Sequence, residues 1–389
     1  VGSLGAGGVA KDRETTSNAI FALDVTDPVN VSLLWEKSSS DVPALGNNQG
    51  KPVITQVANG EWVVLLGNGP NSASGRGALI SVNLFTGAVK TTEVSTDVEN
   101  GLSALRLWDT NGDGITDVAY AGDLLGNLWK LTSLNASNAT ATKLFQATDP
   151  SGAPQPITAM PLAGRSPYSQ QVWLFFGTGR YLSTEDLQSV QVQTWYGYVD
   201  DGSTSVSNRS SMLERKILLD KTVGDLTARV IEEGAREDLN GKKGWYIDLY
   251  QVSDGGSRTP LGERMITPNQ FQGSALIGNT RIPDASDPCA PTGRGVIMAI
   301  DPFTGARLAD TYFDLDGDGA FDIGDKVEID GVSTVVSGIG LNTGFSNPSF
   351  LDSKMYIPTD DGVVRDLDTN PFTTGAGRTS WRELINKGN

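Results

Sequence analysis

Two aspartate-rich loops carry the residue types and spacing in this sequence that are best suited to chemistry. In the first, Asp109, Asn111, Asp113 and Asp117 occupy positions 1, 3, 5 and 9 of a D-x-N-x-D-G-x-x-D frame, and Gly114 falls at position 6. In the second, Asp314, Asp316, Asp318, Asp322 and Asp325 occupy positions 1, 3, 5, 9 and 12, again with a glycine, Gly319, at position 6. Ca²⁺ is a hard cation that takes six to eight oxygens at roughly 2.3–2.6 Å. Alternate side chains of a tightly curled loop converge on one point, and the backbone carbonyl at position 7 (Ile115 or Ala320) adds a further ligand. Five carboxylates within one loop also repel strongly unless a cation neutralises them. Both loops are therefore expected to hold Ca²⁺. The competing reading of each is a solvated Gly/Asp turn that binds nothing.

The flanking residues say what must position these loops. An EF-hand needs a helix on either side and a bidentate Glu at position 12, but position 12 of the first loop is Tyr120. VAYAG (118–122) and NLWKL (127–131) follow it as apolar runs split by a turn, which predicts a loop capping a β-hairpin. Asp117 then stands in for the missing carboxylate at position 12. Around the second loop, LADTYF and KVEIDGVSTVV predict a strand-rich excursion over 309–336.

The rest of the chain reads as strands. Short runs rich in Val, Ile, Trp, Tyr and Phe, bounded by Gly, Pro, Asn and Asp, recur from AIFALDV (19–25) to SKMYIPTDDGVVRDL (353–367). GALISVNLFTGAVK (77–90) and GVIMAIDPFTGARL (295–308) share one frame, and AIFALDVTDPVNVSLLW (19–35) is a looser copy. Each is a strand that ends in a turn led by Asp or Asn. Weak repeats of a strand-turn-strand unit predict an all-β fold, a single β-propeller over residues 1–389, with seven blades of about 50–55 residues. An irregular array of β-sandwiches is the alternative. One segment stands apart: over 211–241 the charges are dense, and Leu213, Ile217 and Leu218, then Leu226, Val230 and Ile231, recur at roughly helical spacing. It is expected to be a partly helical insertion with solvated charges.

Composition excludes several functions. The formal net charge of −16 argues against nucleic acid and anionic membranes as partners. No apolar run is long enough to span a bilayer. Histidine is absent, which removes Ser-His-Asp and Cys-His catalysis and His-ligated zinc. Cys289 is the single cysteine, so no disulfide can form within these residues; it is expected to be a packed side chain rather than a nucleophile. The opening VGSLGAGGVAKD reads as the interior of a longer protein.

AYAGDLLGNLWKL directly after the first loop resembles the C-terminal domain of the PilY family of type IV pilus biogenesis and tip-associated proteins. GWYIDL (244–249), GERMITP (262–268), DPCAPTGRGVIMAIDPFTG (287–305) and GRTSWREL (377–384) follow in the matching order. The resemblance implies a modified, quinoprotein-like propeller in which Asp109, Asn111, Asp113 and Asp117, with the Ile115 carbonyl, ligate Ca²⁺. It implies an exported protein at the bacterial cell surface, the pilus tip or the outer membrane. Its partners would be pilin, minor pilins and other assembly components, with a host or surface ligand in adhesion, and its role would be in pilus extension and retraction. No Arg-Gly-Asp tripeptide is present, so integrin binding through it is not expected. A quinoprotein-type dehydrogenase is the enzymatic alternative. The adjacent cysteine pair that the resemblance associates with such enzymes is missing, so no catalytic activity is expected.

Overall fold

Strands dominate because β-branched and aromatic residues alternate in short runs that glycine and aspartate turns cut off before a helix could propagate. The computed structural model describes residues 2–4, 18–47, 50–135, 139–284 and 293–371. Among these, the only helical elements are single 3-10 turns, such as Arg236–Leu239. Cys289 and the 377–384 run lie outside the described residues.

Six sheets of three or more strands follow one another along the described chain, beside the expectation of seven blades. The first contains Ala19–Asp24 and Ser32–Ser38. The second is the meander Val53–Gln56, Trp62–Gly67, Ala78–Asn83 and Val89–Glu93. The third contains Arg106–Trp108, Val118–Gly122, Asn127–Thr132 and Thr140–Gln146. Leu162–Arg165, Val172–Gly177, Thr194–Asp200 and Gly244–Asp248 build the fourth. The fifth is centred on Ala275–Asn279, Gly293–Ile300 and Gly338–Leu341. Ser349–Leu351, Lys354–Pro358 and Val364–Asp368 form the sixth.

The two faces of each strand serve two different neighbours. Val64 and Leu66 of the second sheet pack with Ile20 and Trp35 of the first, while Val63 and Leu65 pack with Ala119 and Trp129 of the third. Val118 and Tyr120 then meet Leu174, Phe176 and Tyr196 of the fourth. Trp173, Phe175 and Trp195 pack with Leu276 and Met298 of the fifth, whose Ile277 and Ile297 pack with Met355 and Ile357 of the sixth. A strand with period-two side chains that is apolar on both faces must be sandwiched. Sheets stacked face to face in chain order are the β-propeller solution to that requirement.

The shared frame found in the sequence corresponds to a docked turn. Asn83 Oδ1 accepts the backbone N–H groups of Phe85 (3.1 Å) and Thr86 (2.9 Å), as Asp301 Oδ1 accepts those of Phe303 (2.8 Å) and Thr304 (2.9 Å). In both copies a tryptophan from the preceding sheet donates to the turn, Trp35 Nε1 to Leu84 O (2.9 Å) and Trp245 Nε1 to Pro302 O (2.8 Å). The repeat is thus a latch between neighbouring sheets.

Residues 211–241 correct an expectation. They hold strands Leu213–Arg215, Ile217–Val223 and Leu226–Ile231, and no α-helix. The first adds in parallel to the fourth sheet beside Gly244–Asp248, and the hairpin of the other two joins the fifth through Gly338–Leu341. A spacing of four is two strand periods as well as about one helical turn, so Leu213/Ile217 and Leu226/Val230 fit either structure. The turn at Gly224, with φ +57°, resolves the ambiguity in favour of a hairpin. Nor are all its charges solvated. Asp220 and Arg229 are cross-strand partners, and Arg229 also pairs with the buried Glu263 at 2.6 Å.

Candidate metal centre

The first loop spans the tip between Arg106–Trp108 and Val118–Gly122, paired antiparallel with Trp108 opposite Val118. Asp109 organises it: its carboxylate accepts the backbone N–H groups of Gly112 (2.7 Å), Gly114 (2.7 Å) and Asn111 (3.1 Å). The Gly114 and Gly112 N–H groups hold the Asp109 carboxyl below its ordinary value. Asn111 Oδ1 accepts from Asp113 N (2.9 Å), and Asp113 Oδ1 from Ile115 N (2.8 Å). Asp117 closes the loop by accepting the backbone N–H of Thr110 at 2.9 Å, with the Thr110 hydroxyl on the same oxygen. Thr116 fixes the base, its N–H on Gln56 O (3.0 Å) and its hydroxyl on that of Thr55 (2.6 Å).

The second loop repeats this pattern far along the chain. Asp314 accepts Gly317 N (2.7 Å) and Gly319 N (2.9 Å), Asp316 accepts Asp318 N (3.2 Å), and Asp318 accepts Ala320 N (2.7 Å). Position 12 adds what the first loop lacks. Asp325 reaches back to Leu315 N (2.6 Å) and Asp322 N (3.0 Å). Leu315 and Thr110 both stand at position 2, so Asp117 in the first loop performs the closure that Asp325 performs in the second. The loops also differ in depth. Asp314 and Asp325 are 2% and 1% exposed, whereas the tip of the first loop is open to solvent.

Among the described residues, the carboxylates that converge within 4.8 Å of one another are Asp314, Asp316 and Asp325. Asp318 and Asp322 lie outside that set; Asp322 accepts the N–H of Gly324 (2.7 Å). Asp109, Asp113 and Asp117 do not form such a set. The N–H of Asp318 on Asp316 favours the ionised carboxylate. Desolvation and the charges of Asp318, Asp325 and Asp314 outweigh it and push Asp316 above the usual range. Charges gathered at one point, with backbone donors already curling the chain around them, suit a hard divalent cation. Sequence reasoning missed Thr110 and also Arg165, whose guanidinium donates to Thr110 O at 3.2 Å from the fourth sheet. The D-T step inside the frame is the one local signal that pointed to the first; nothing local pointed to the second.

Fold and loops together define a β-propeller that presents aspartate-rich, curled loops at strand junctions. The PilY1 beta-propeller domain family matches residues 1–142. A type IV pilus biogenesis factor PilY1 homolog from Xylella fastidiosa is 43% identical over 387 residues, covering 99% of this chain and 30% of the relative. Type IV pilus biogenesis factor PilY1 of Pseudomonas aeruginosa is 33% identical, covering 100% of this chain and 36% of its own length. The crystal structure of the Pseudomonas aeruginosa PilY1 C-terminal domain matches with a TM-score of 0.75 at 28% identity, over 92% of this chain and 80% of that one. The chain belongs to the PilY1 family, in its C-terminal β-propeller region. It spans about a third of the length of the curated relatives it matches.

Proposed function

We propose that this propeller is a non-catalytic, Ca²⁺-binding module of type IV pilus biogenesis, working at the cell surface through pilin, minor pilins or other assembly components. The hydrogen-bond pattern common to the two loops carries the calcium reading. Two segments of unrelated flanking sequence curl through the same backbone N–H bonds to the side chains at positions 1, 3 and 5, and in the second the carboxylates of Asp314, Asp316 and Asp325 converge where a cation would offset their repulsion. In the first loop Asp109, Asn111, Asp113 and Asp117, with the Ile115 carbonyl, would hold the ion. In the second, Asp314, Asp316 and Asp325 would form the centre, with Asp318, Asp322 and the Ala320 carbonyl completing the shell. The names of the relatives support the pilus role. Export to the surface follows from that role. No helix among the described residues is long and apolar enough to cross a membrane.

The exposed first loop is the better candidate for a switch between extension and retraction. Loss of the ion there leaves three carboxylates repelling at the tip of a hairpin, which changes any partner surface formed there. Titration calorimetry on chelator-stripped protein should show saturable Ca²⁺ binding that Asp109→Ala and Asp314→Ala each reduce. Asp117→Lys, which places an ammonium beside the site, should mimic the occupied state in part. If bacteria carrying Asp109→Ala or Asp117→Lys in a folded protein assemble and retract pili normally, calcium at this loop has no regulatory role.

A further inference from the structure

Inner edges of successive sheets enclose a cavity of about 660 Å³, lined from the second sheet at Val53 to the segment around Ile266 before the fifth. Its volume lies inside the range of roughly 300–1,000 Å³ typical of small-ligand sites. Leu102, Leu105, Leu124, Ile157, Met160 and Ile266 make its walls apolar. Arg106 also lines it, from the edge strand Arg106–Trp108, where it is paired on one side only, opposite Tyr120.

Arg106 is anomalous. Among the described residues no carboxylate lies within ion-pair distance of its guanidinium, and its buried Nε has no hydrogen-bond partner. Burial pushes this guanidinium down, with no acidic neighbour acting against it. Arg215, Arg229 and Arg264, which are more deeply buried, all have partners. Arg229 has Asp220 and Glu263, Arg215 has Asp238 at 2.9 Å, and Arg264 donates to the carbonyls of Gly262, Arg180, Asp186 and Ser189. In a chain with 46 acidic residues and 30 basic ones, acidic groups are abundant, yet none among the described residues pairs with Arg106. Arginine remains protonated at neutral pH, so a half-buried guanidinium with an unpartnered Nε at an apolar cavity would gain from an anion beside it.

We propose that this cavity binds a small apolar carboxylic acid, with the carboxylate on Arg106 and the hydrocarbon body against the leucine and isoleucine walls. One half-buried cation matches one negative charge, and the planar guanidinium fork matches a carboxylate in shape. A dianionic phosphate would need a second buried donor, and the other basic residue at the cavity, Lys51, is exposed. The carboxylate has two sources, a free organic acid or the C-terminus of a peptide with apolar last residues.

The test is calorimetric titration of the whole chain with octanoate and 4-phenylbutyrate, against their neutral primary amides. The acids should bind saturably and the amides roughly tenfold more weakly or worse, as expected for one charge-assisted hydrogen-bonded pair. Arg106→Gln should weaken the acids to the level of the amides and leave the amides unchanged. Tri-leucine with a free C-terminus, against its amidated form, is the second arm. Tighter binding of the free tripeptide than of either acid, lost in Arg106→Gln, would keep the proposal and identify a chain end as the source. Equal affinity of acids and amides on the unmodified protein, undiminished acid binding by Arg106→Gln, or no binding by any of these carboxylates overturns it. The acid–amide comparison needs no variant, so a folding defect in Arg106→Gln does not blunt the test.

Discussion

At position 6 of both loops the backbone lies in the left-handed region, with φ +85° at Gly114 and +82° at Gly319, and a Cβ at either would meet nothing within 4 Å. The cost of a side chain there is purely conformational, about 1–2 kcal/mol for an L-residue and less for Asn. Urea denaturation should therefore show Gly114→Ala destabilised by about that amount and Gly114→Asn by distinctly less. Equal stabilities for the two variants would mean that the loop does not need this conformation. Asp316 makes a second prediction at this scale. It sits among carboxylates that raise its proton affinity, so Asp316→Asn should raise the melting temperature in chelator by relieving repulsion. The same change should shrink the stabilisation that added Ca²⁺ gives the unaltered protein. A variant that melts lower in chelator, or responds to Ca²⁺ as before, argues against a charge-loaded centre at Asp314, Asp316 and Asp325. Residue spacing made both loops legible, because the bonds that curl them join side chains to backbone N–H groups only a few positions away, and a linear motif records that. The separation of Asp318 and Asp322 from the converging trio was not legible, since it depends on side-chain directions set by the bonds to Ala320 N and Gly324 N.

Among the elements, the hairpin of Ile217–Val223 and Leu226–Ile231 depends most on a single side chain. Arg229 is 1% exposed and bonded to Asp220 at 2.7 Å and to Glu263 at 2.6 Å, which ties the hairpin to the segment before the fifth sheet. Arg229→Met leaves two carboxylates buried without a cation and should cost about 3–5 kcal/mol in chemical denaturation. Adding Asp220→Asn and Glu263→Gln should recover most of that loss, because the penalty lies in uncompensated charge and not in lost packing. Failure of the triple variant to recover would place the effect elsewhere. The sequence could not distinguish this buried network from a solvated charged face. Asp220 and Arg229 are nine residues apart, and only the hairpin register sets them opposite each other. The docked turns at Asn83 and Asp301 were readable as a repeat, yet their tryptophan partners lie 49 and 57 residues away from the carbonyls they bond.

On the scale of the whole molecule, the second loop lies between two sheets. It belongs to the excursion that leaves the fifth sheet after Gly293–Ile300 and returns at Gly338–Leu341, and it docks on the sixth, where Asp314 N donates to Asp368 O at 3.2 Å. Tyr312 and Phe313 just before it are fully buried. Calcium at this loop should then stabilise the junction of the two sheets. At a concentration about a hundredfold above Kd the gain is about 2.7 kcal/mol for the site, provided the unfolded chain does not bind. Hydrogen exchange in chelator should accelerate at Val364–Asp368 and leave Trp62–Gly67 of the second sheet unchanged, and Asp314→Ala should show the fast pattern with or without Ca²⁺. Uniform protection in both conditions would leave the loop without a role in the stack.

The sequence by itself determined the all-β character, the propeller and the two acidic loops, because strand period, turn residues and ligand spacing are all properties of a few neighbouring positions. Tertiary structure alone decided that 211–241 threads into the fourth and fifth sheets. It alone set which three carboxylates meet and left Arg106 lining an apolar cavity with no counter-ion among the described residues. Those outcomes depend on register and on which sheet becomes the neighbour of which. Both are set by the burial of faces that lie far apart in the chain, and no local pattern encodes them.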